Sequence, residues 1–141
     1  PEPEALGEAI ASLRQLCWQV AGVERQGSEL QRALTEVRQR RSLVEADPLL
    51  ARAKALNIGE RLLLGKASKK ALLGLHDLRQ RLVLADLLIE AAGFRSESRG
   101  GHFRTDAPAV QPFWRRHSLQ RRGASISTQP VSTQGVGKGP L

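Results

Sequence analysis

Tyrosine and methionine are both absent from this 141-residue chain, and phenylalanine and tryptophan number only three and two. Strands of a β-sandwich normally use aromatic and β-branched residues, so this shortage argues against an all-β fold. A single cysteine excludes an internal disulfide, and three scattered histidines do not have the spacing of a zinc site. The chain is instead rich in leucine, alanine, arginine and glutamine, and this composition predicts helices.

Long apolar runs are also missing, and no stretch approaches the roughly 18 residues that a membrane span needs. The opening sequence Pro1-Glu2-Pro3-Glu4 has neither the basic flank nor the apolar stretch of a secretion signal. We therefore expect a cytoplasmic protein that does not associate with membranes. Because there is no initiator Met and a helical pattern begins at Glu4, we also expect a piece of a longer protein.

Charge is distributed unevenly along the chain. There are 22 Lys and Arg residues against 14 Asp and Glu residues, a formal net charge of +8. Residues 1–93 carry a net charge of +2, whereas residues 94–141 carry +6. A basic extension beside a nearly neutral helical body fits nucleic acid, an anionic cofactor or an acidic partner surface, and charge alone does not choose among them.

Apolar residues recur every three or four positions in three stretches, which is the spacing of amphipathic helices. The predicted helices cover residues 4–20, 28–45 and 71–92. The third has the widest apolar face, extended by Leu84 and Leu88, and this width predicts a central helix that is buried on two sides. Residues 1–93 are therefore predicted to form a three-helix bundle similar to a spectrin repeat.

Between the second and third predicted helices the pattern is weaker. Asp47-Pro48 has the form of an N-cap followed by proline, which predicts a short helix near residues 48–56. Glycines and a lysine cluster interrupt the apolar side chains of residues 57–70. This interruption indicates a loop with a helical turn.

The segment after Gly93 loses the helical period. Residues 94–122 are dense in Arg, Ser, Gly and His and are predicted to form a charged loop and extension. Residues 123–141 are mostly small and polar, and their few apolar side chains cannot offset the entropy of ordering them, so a flexible tail is expected. The predicted fold class is thus all-α, with an irregular basic C-terminal extension.

Isolated reactive residues have ordinary explanations. Cys17 falls on the apolar stripe of the first helix, which favours a small buried hydrophobe over a nucleophile. His76 and Asp77 are adjacent and point to different helix faces, which argues against a catalytic pair. The lysines of residues 66–70 lack the glycine frame of a phosphate-binding loop, and no Gly-x-Gly-x-x-Gly follows a strand. We therefore predict no catalytic, cofactor-binding or metal-binding residue in this chain.

One short stretch of the extension concentrates charge on a backbone made flexible by Gly100 and Gly101. Its charged or titratable members are Glu97, Arg99, His102, Arg104 and Asp106. Planar guanidinium groups can bind carboxylates or backbone carbonyls. Taken as a pattern alone, the stretch fits a solvated surface turn as well as it fits a contact surface.

This stretch resembles a known signature. Residues 95–108 are similar to the Arg-x-Glu-Ser-Arg-Gly-x-His-x-Arg-x-Asp-x-Pro run of one flavoprotein superfamily. The superfamily includes L-aspartate oxidases and the flavoprotein subunits of succinate dehydrogenase and fumarate reductase, and the run lies in its C-terminal helical domain. Residues 18–34 resemble the upstream motifs Trp-x-x-x-Gly-[Ile/Val]-x-Arg and Leu-x-x-Ala-Leu, and residues 114–120 resemble Trp-x-x-His-x-Leu-Gln. The resemblance covers residues 10–122, with an insert-like departure at 47–70.

Within the superfamily the resemblance favours the L-aspartate oxidases. The dehydrogenase subunits continue with a longer tail that contains tyrosine, whereas this chain has no tyrosine. The resemblance implies an FAD-dependent enzyme that converts L-aspartate to iminoaspartate, the first step of de novo NAD biosynthesis through quinolinate. It also implies that FAD and the catalytic residues belong to preceding domains, so the isolated fragment is predicted to be inactive and to bind no FAD.

The partner that the resemblance implies is the FAD-binding domain of the same polypeptide, with quinolinate synthase as a pathway neighbour. Residues 94–122 would pack on that domain, and the predicted inter-domain contacts are Glu97, Arg99, His102, Arg104 and Asp106.

Two alternatives stay open. One is the C-terminal domain of a succinate dehydrogenase or fumarate reductase flavoprotein subunit. The other is a small basic helical protein that binds nucleic acid. That function would need basic side chains on one helix face with aromatic residues between them, whereas here the arginines crowd a Gly/Ser loop.

Overall fold

The computed structural model describes residues 2–131, and this part of the chain is mostly helical, as predicted. The helices are α1 (Pro3–Ala21), α2 (Gly27–Glu45), α3 (Pro48–Lys54) and α4 (Lys66–Phe94). The strands are β1 (Glu24–Arg25), β2 (Phe103–Arg104), β3 (Arg116–Leu119) and β4 (Ser127–Pro130), and a 3-10 turn covers Pro112–Trp114. No helix within residues 2–131 combines the length and apolar character that crossing a bilayer requires.

Helix α4 is the element against which both α1 and α2 pack. The core between them consists of leucine, valine, isoleucine and alanine side chains, of which Leu30, Val37, Leu75, Leu82 and Ile89 are the most deeply buried. Helix α1 approaches α4 closely at Gly74, where a Cβ atom would lie 2.8 Å from Cδ1 of Leu6. The wide apolar face of α4 is buried only in part, because Leu84 and Leu88 are 66% and 49% exposed.

The element boundaries differ from the predicted ones mainly between α2 and α4. Helix α4 begins at Lys66, five residues before the predicted start, because Lys and Ala are good helix formers and continue the helix back to Gly65. Helix α3 is capped by Asp47, whose carboxylate accepts a 2.9 Å hydrogen bond from the backbone N–H of Leu49. The helix ends at Lys54, two residues before the predicted end.

Part of the predicted flexible tail forms a strand. Residues 127–130 form β4, which pairs antiparallel with β3 so that Ser127 lies opposite Leu119. Composition did not reveal this strand because backbone hydrogen bonds to β3, rather than buried apolar side chains, hold it. The side chain of Arg116 adds a 3.2 Å hydrogen bond to Thr128 Oγ1. Residues 132–141 of the predicted tail lie outside the described residues.

Replacing Leu82 by alanine should lower the free energy of unfolding by about 3 kcal/mol, because the change leaves a cavity in the core. Leu82 is 1% exposed at the middle of α4. In residues 1–141 Leu84→Ala is the matched control, since it removes the same atoms from a 66% exposed side chain two residues away and should change stability by less than about 0.5 kcal/mol. Urea unfolding measures both. Equal losses would mean that the buried face of α4 is misassigned.

Candidate functional site

The charged stretch folds against one end of the helices, where α1 and α4 end and α2 begins. We call residues 95–114 the clasp. Its strand β2 pairs in parallel with β1, the connection between α1 and α2, and places Arg104 beside Arg25. The backbone N–H of Thr105 extends this pairing with a 2.9 Å hydrogen bond to the carbonyl of Arg25. Because the clasp follows α4 directly and pairs with the connection between α1 and α2, it is joined to all three long helices.

Glu97 lies at the centre of the clasp with a fully buried side chain. Its Oε1 accepts hydrogen bonds from Arg95 Nη2 at 2.6 Å and Arg99 Nε at 2.9 Å. Its Oε2 accepts from Arg99 Nη2 at 3.1 Å and from the backbone N–H of Gln111 at 3.0 Å. These donors, with Arg99 the most important, lower the pKa of Glu97 to about 2.

Arg95 links the end of α4 to the segment beyond the clasp. Its Nη1 donates to the carbonyl of Arg116 at 2.9 Å, and its Nη2 donates to the carbonyl of Trp114 at 2.5 Å. The guanidinium also lies 5.3 Å from the centre of the Trp114 ring, a cation–π contact. Trp114 is buried against Phe94 in an edge-to-face arrangement with a centroid distance of 5.2 Å.

A tight turn shapes the middle of the clasp. Arg99 and His102 exchange two backbone hydrogen bonds of 2.8 and 3.0 Å, and Gly100 between them has a φ of +57°, a conformation that favours glycine. The buried Ser98 hydroxyl donates to the carbonyl of Ala107 at 2.9 Å and accepts from the backbone N–H of Arg104 at 2.8 Å. Four hydrogen bonds thus hold the turn in which the two glycines lie.

Arg104 caps the C-terminal end of α4. Its side chain is 6% exposed, and its Nη1 donates to the carbonyls of Gly93 at 3.1 Å and Arg95 at 3.0 Å. The last carbonyls of a helix have no partner inside the helix and carry partial negative charge, so a buried guanidinium is a suitable cap. The other edge of the guanidinium forms two hydrogen bonds of 2.8 and 2.6 Å with the carboxylate of Asp106.

Asp106 in turn lies at the N-terminal end of α2. Hydrogen bonds from Arg104, assisted by the backbone N–H of Gly27, lower the pKa of Asp106 to about 2. An anion at a helix N-terminus is favourable for the same reason as a cation at a C-terminus. The Arg104–Asp106 pair therefore joins the end of α4 to the start of α2 through complementary charges.

His102 bridges the clasp and the end of α1. Its Nδ1 lies 2.6 Å from Arg25 Nη1, and since a guanidinium can only donate, Nδ1 is the acceptor. The Nε2–H group then donates to the carbonyl of Arg95 at 3.2 Å, so the ring is neutral. Burial, with a contribution from the neighbouring arginines, lowers the pKa of His102. Arg25 itself caps α1 by donating to the carbonyls of Ala21 and Gly22.

The structure brings all five predicted contact residues into the clasp and gives each a partner within this chain. Sequence reasoning missed further members of the network, although Arg25, Arg95 and Ser98 stood in the motifs that carried the resemblance. Gln111, which donates its backbone N–H to Glu97, is another. Gly27 was missed as well, because it has no side chain to signal its role. Because both carboxylates are ionised and hydrogen-bonded at neutral pH, the clasp is suited to holding helix ends together rather than to acid–base catalysis.

The isolated reactive residues stay apart from the clasp. Cys17 is half-buried between α1 and α4, and this burial raises the pKa of its thiol. Asp77 forms an exposed ion pair of 3.1 Å with Arg81, one helical turn away, and His76 is exposed. Within residues 2–131, no group of three or more His, Cys, Asp or Glu side chains is placed to hold a metal ion.

Acid should destabilise the chain in two steps. His102 is neutral when folded and has a pKa below 6.5, so the unfolded chain takes up this proton first and stability falls below about pH 6.5. The lowered pKa values of Glu97 and Asp106, about 2, contribute stability above about pH 4.5 that is lost as the pH falls toward 2. Urea unfolding at a series of pH values measures both steps. The variant His102→Gln should lack the upper step, and retaining it would contradict the assignment.

These features define a class of protein: a helical domain whose helix ends are held by a buried arginine–carboxylate clasp. The chain belongs to the family of fumarate reductase flavoprotein C-terminal domains, whose model matches residues 10–139. The family that the signature in residues 95–108 predicted is therefore confirmed.

Two relatives align with most of this chain. The chain is 30% identical over 128 residues to an L-aspartate oxidase of a Synechocystis species, an alignment that covers 88% of this chain and 22% of that protein. It is 35% identical over 111 residues to an L-aspartate oxidase of a Nostoc species, with coverage of 78% and 19%. The chain thus spans about a fifth of the length of these relatives. No solved structure matches it.

Proposed function

We propose that this chain is the C-terminal helical domain of an FAD-dependent L-aspartate oxidase, which converts L-aspartate to iminoaspartate at the start of de novo NAD biosynthesis. The observation that carries the proposal is the similarity of most of the chain to two proteins of that name. The enzyme would act in the cytoplasm, and quinolinate synthase would be its neighbour in the pathway because it consumes iminoaspartate.

In this proposal the domain supports the flavin-binding part of the polypeptide and has no catalytic residue of its own. Helices α1, α2 and α4 act as a three-helix bundle that presents the clasp to that part. Arg99 and Asp106, whose side chains are 39% and 38% exposed, make the contacts directly. Glu97, His102 and Arg104 are more deeply buried, and they position the exposed pair.

The flavin is assigned to the remainder of the polypeptide. A dinucleotide needs a glycine-rich turn between a strand and a helix, where backbone N–H groups bind the pyrophosphate. In the part of the chain that the structure describes, the parallel strands β1 and β2 are two residues long and do not lead into such a turn. These residues do not fit FAD, and this mismatch supports placing it elsewhere.

The test is to purify the complete polypeptide and residues 1–141 separately. We expect the complete polypeptide to carry FAD, seen by its absorbance, and to oxidise L-aspartate with oxygen or fumarate as the acceptor. Residues 1–141 alone should take up no FAD and oxidise nothing. Oxidation of succinate instead of L-aspartate would favour the dehydrogenase alternative. A stoichiometric flavin complex of residues 1–141 would contradict the assignment of FAD to the preceding part.

A further inference from the structure

An open apolar groove runs between α1 and α4. Its cavity has a volume of about 470 Å³ and is lined by apolar side chains of both helices, among them Leu13, Cys17, Trp18, Leu84 and Leu88. Three of these are large and unusually exposed: Trp18 is 75% exposed, Leu84 66% and Leu88 49%. Single exposed apolar residues are ordinary on a protein surface, but a contiguous group of them marks an interaction site.

The groove is continuous with the clasp. Ala21 and Gly22 line the groove at the C-terminal end of α1, and the carbonyls of the same two residues accept the hydrogen bonds from Arg25 Nε. Arg25 in turn contacts His102 of the clasp. The groove and the clasp therefore meet at the C-terminal end of α1.

Charge at the groove distinguishes between its candidate occupants. Arg14 and Arg81 are among the residues that line it, and Arg81 is paired with Asp77 at 3.1 Å. If a second copy of this chain packed there across a twofold axis, the basic edges of the two copies would face each other, and each copy carries a formal net charge of +8. A partner with an apolar centre and flanking carboxylates would instead bury the exposed side chains and neutralise Arg14.

We infer that the α1–α4 groove is the seat of an apolar, carboxylate-flanked segment from the flavin-binding part of the same polypeptide. The inference rests on the proposed function, in which the flavin-binding part corresponds to the portion of the relatives outside the aligned fifth. It adds a second contact surface to the clasp and identifies Trp18, Leu84 and Leu88 as its anchors. It also explains why α4 has an apolar face wider than α1 and α2 can cover.

The test is hydroxyl-radical labelling of the complete polypeptide, with mass spectrometry of the peptide that carries Trp18. In the wild type we expect the occupant of the groove to shield Trp18 from hydroxyl radicals, so that Trp18 is labelled slowly. The variant Leu84→Glu should raise its labelling rate several-fold, because a carboxylate in the groove repels the flanking carboxylates of the occupant. Leu43→Glu is the matched control, since Leu43 is 69% exposed on α2, outside this groove, and should leave the rate unchanged.

Other outcomes separate the inference from the proposed function. Equal labelling of Trp18 in the wild type and in Leu84→Glu would contradict the inference that the groove is occupied, even if the polypeptide oxidises L-aspartate. Protection of Trp18 that increases with protein concentration would overturn it in favour of a second copy. A protected Trp18 in a polypeptide that carries FAD but does not oxidise L-aspartate would support the groove and contradict the function. Leu84 and Leu43 are both exposed within this chain, so neither variant should disturb its fold. Unchanged circular dichroism is the control for folding.

Discussion

Replacing Glu97 by alanine should lower the free energy of unfolding by about 4 kcal/mol, because removing one member of a buried ion pair leaves the others without compensation. The carboxylate is fully buried and accepts four hydrogen bonds. Its loss leaves the backbone N–H of Gln111 without an acceptor and the guanidinium of Arg95, which is only 19% exposed, without its carboxylate partner. Urea unfolding with circular dichroism detection measures the change.

Two further variants separate charge from shape. Glu97→Gln keeps the size of the side chain but replaces one acceptor oxygen with a donor, so it should be intermediate in stability. Glu29→Ala is the surface control, because Glu29 forms an exposed ion pair of 3.8 Å with Arg32. Such pairs contribute less than about 1 kcal/mol. Similar losses for Glu97→Ala and Glu29→Ala would mean that the clasp is a solvated turn.

The helices were predictable because their signal is local. The periodicity that predicted the third helix places Leu75, Leu82 and Ile89 in the core, where they are at most 2% exposed. The same reasoning predicted burial of Leu84 and Leu88 and was wrong for both within this chain. Periodicity shows how wide an apolar face is, but it does not show which element covers it.

The clasp was predictable only in part, because its partners are distant in sequence. The density of charge in residues 97–106 identified Glu97 and Arg104 as unusual. It could not show that His102 contacts Arg25, 77 positions earlier. Nor could it show that glycine is needed at position 27, where a Cβ atom would lie 2.7 Å from Asp106 Oδ2. The contact of the clasp with another domain stays a prediction.

The second large effect is expected for Arg104→Ala, which should also lower the free energy of unfolding by about 4 kcal/mol. The change uncaps α4 and leaves Asp106 at the start of α2 without its partner. Arg104→Lys keeps the charge, but an ammonium group cannot bind the carboxylate with two parallel hydrogen bonds while also reaching the carbonyls, so much of the loss should remain.

Gly27→Ala tests the same pair from the opposite side, because the added Cβ would clash with Arg104 Nη2 and displace it from Asp106. We expect a loss of about 1–3 kcal/mol from this overpacking. Gly7→Ala is the control, since a Cβ at Gly7 in α1 meets nothing within 4 Å and alanine favours a helix. If both residues act through the Arg104–Asp106 pair, the double variant Gly27→Ala/Arg104→Ala should be little less stable than Arg104→Ala alone. Additive losses would mean that Gly27 acts through some contact other than the Arg104–Asp106 pair.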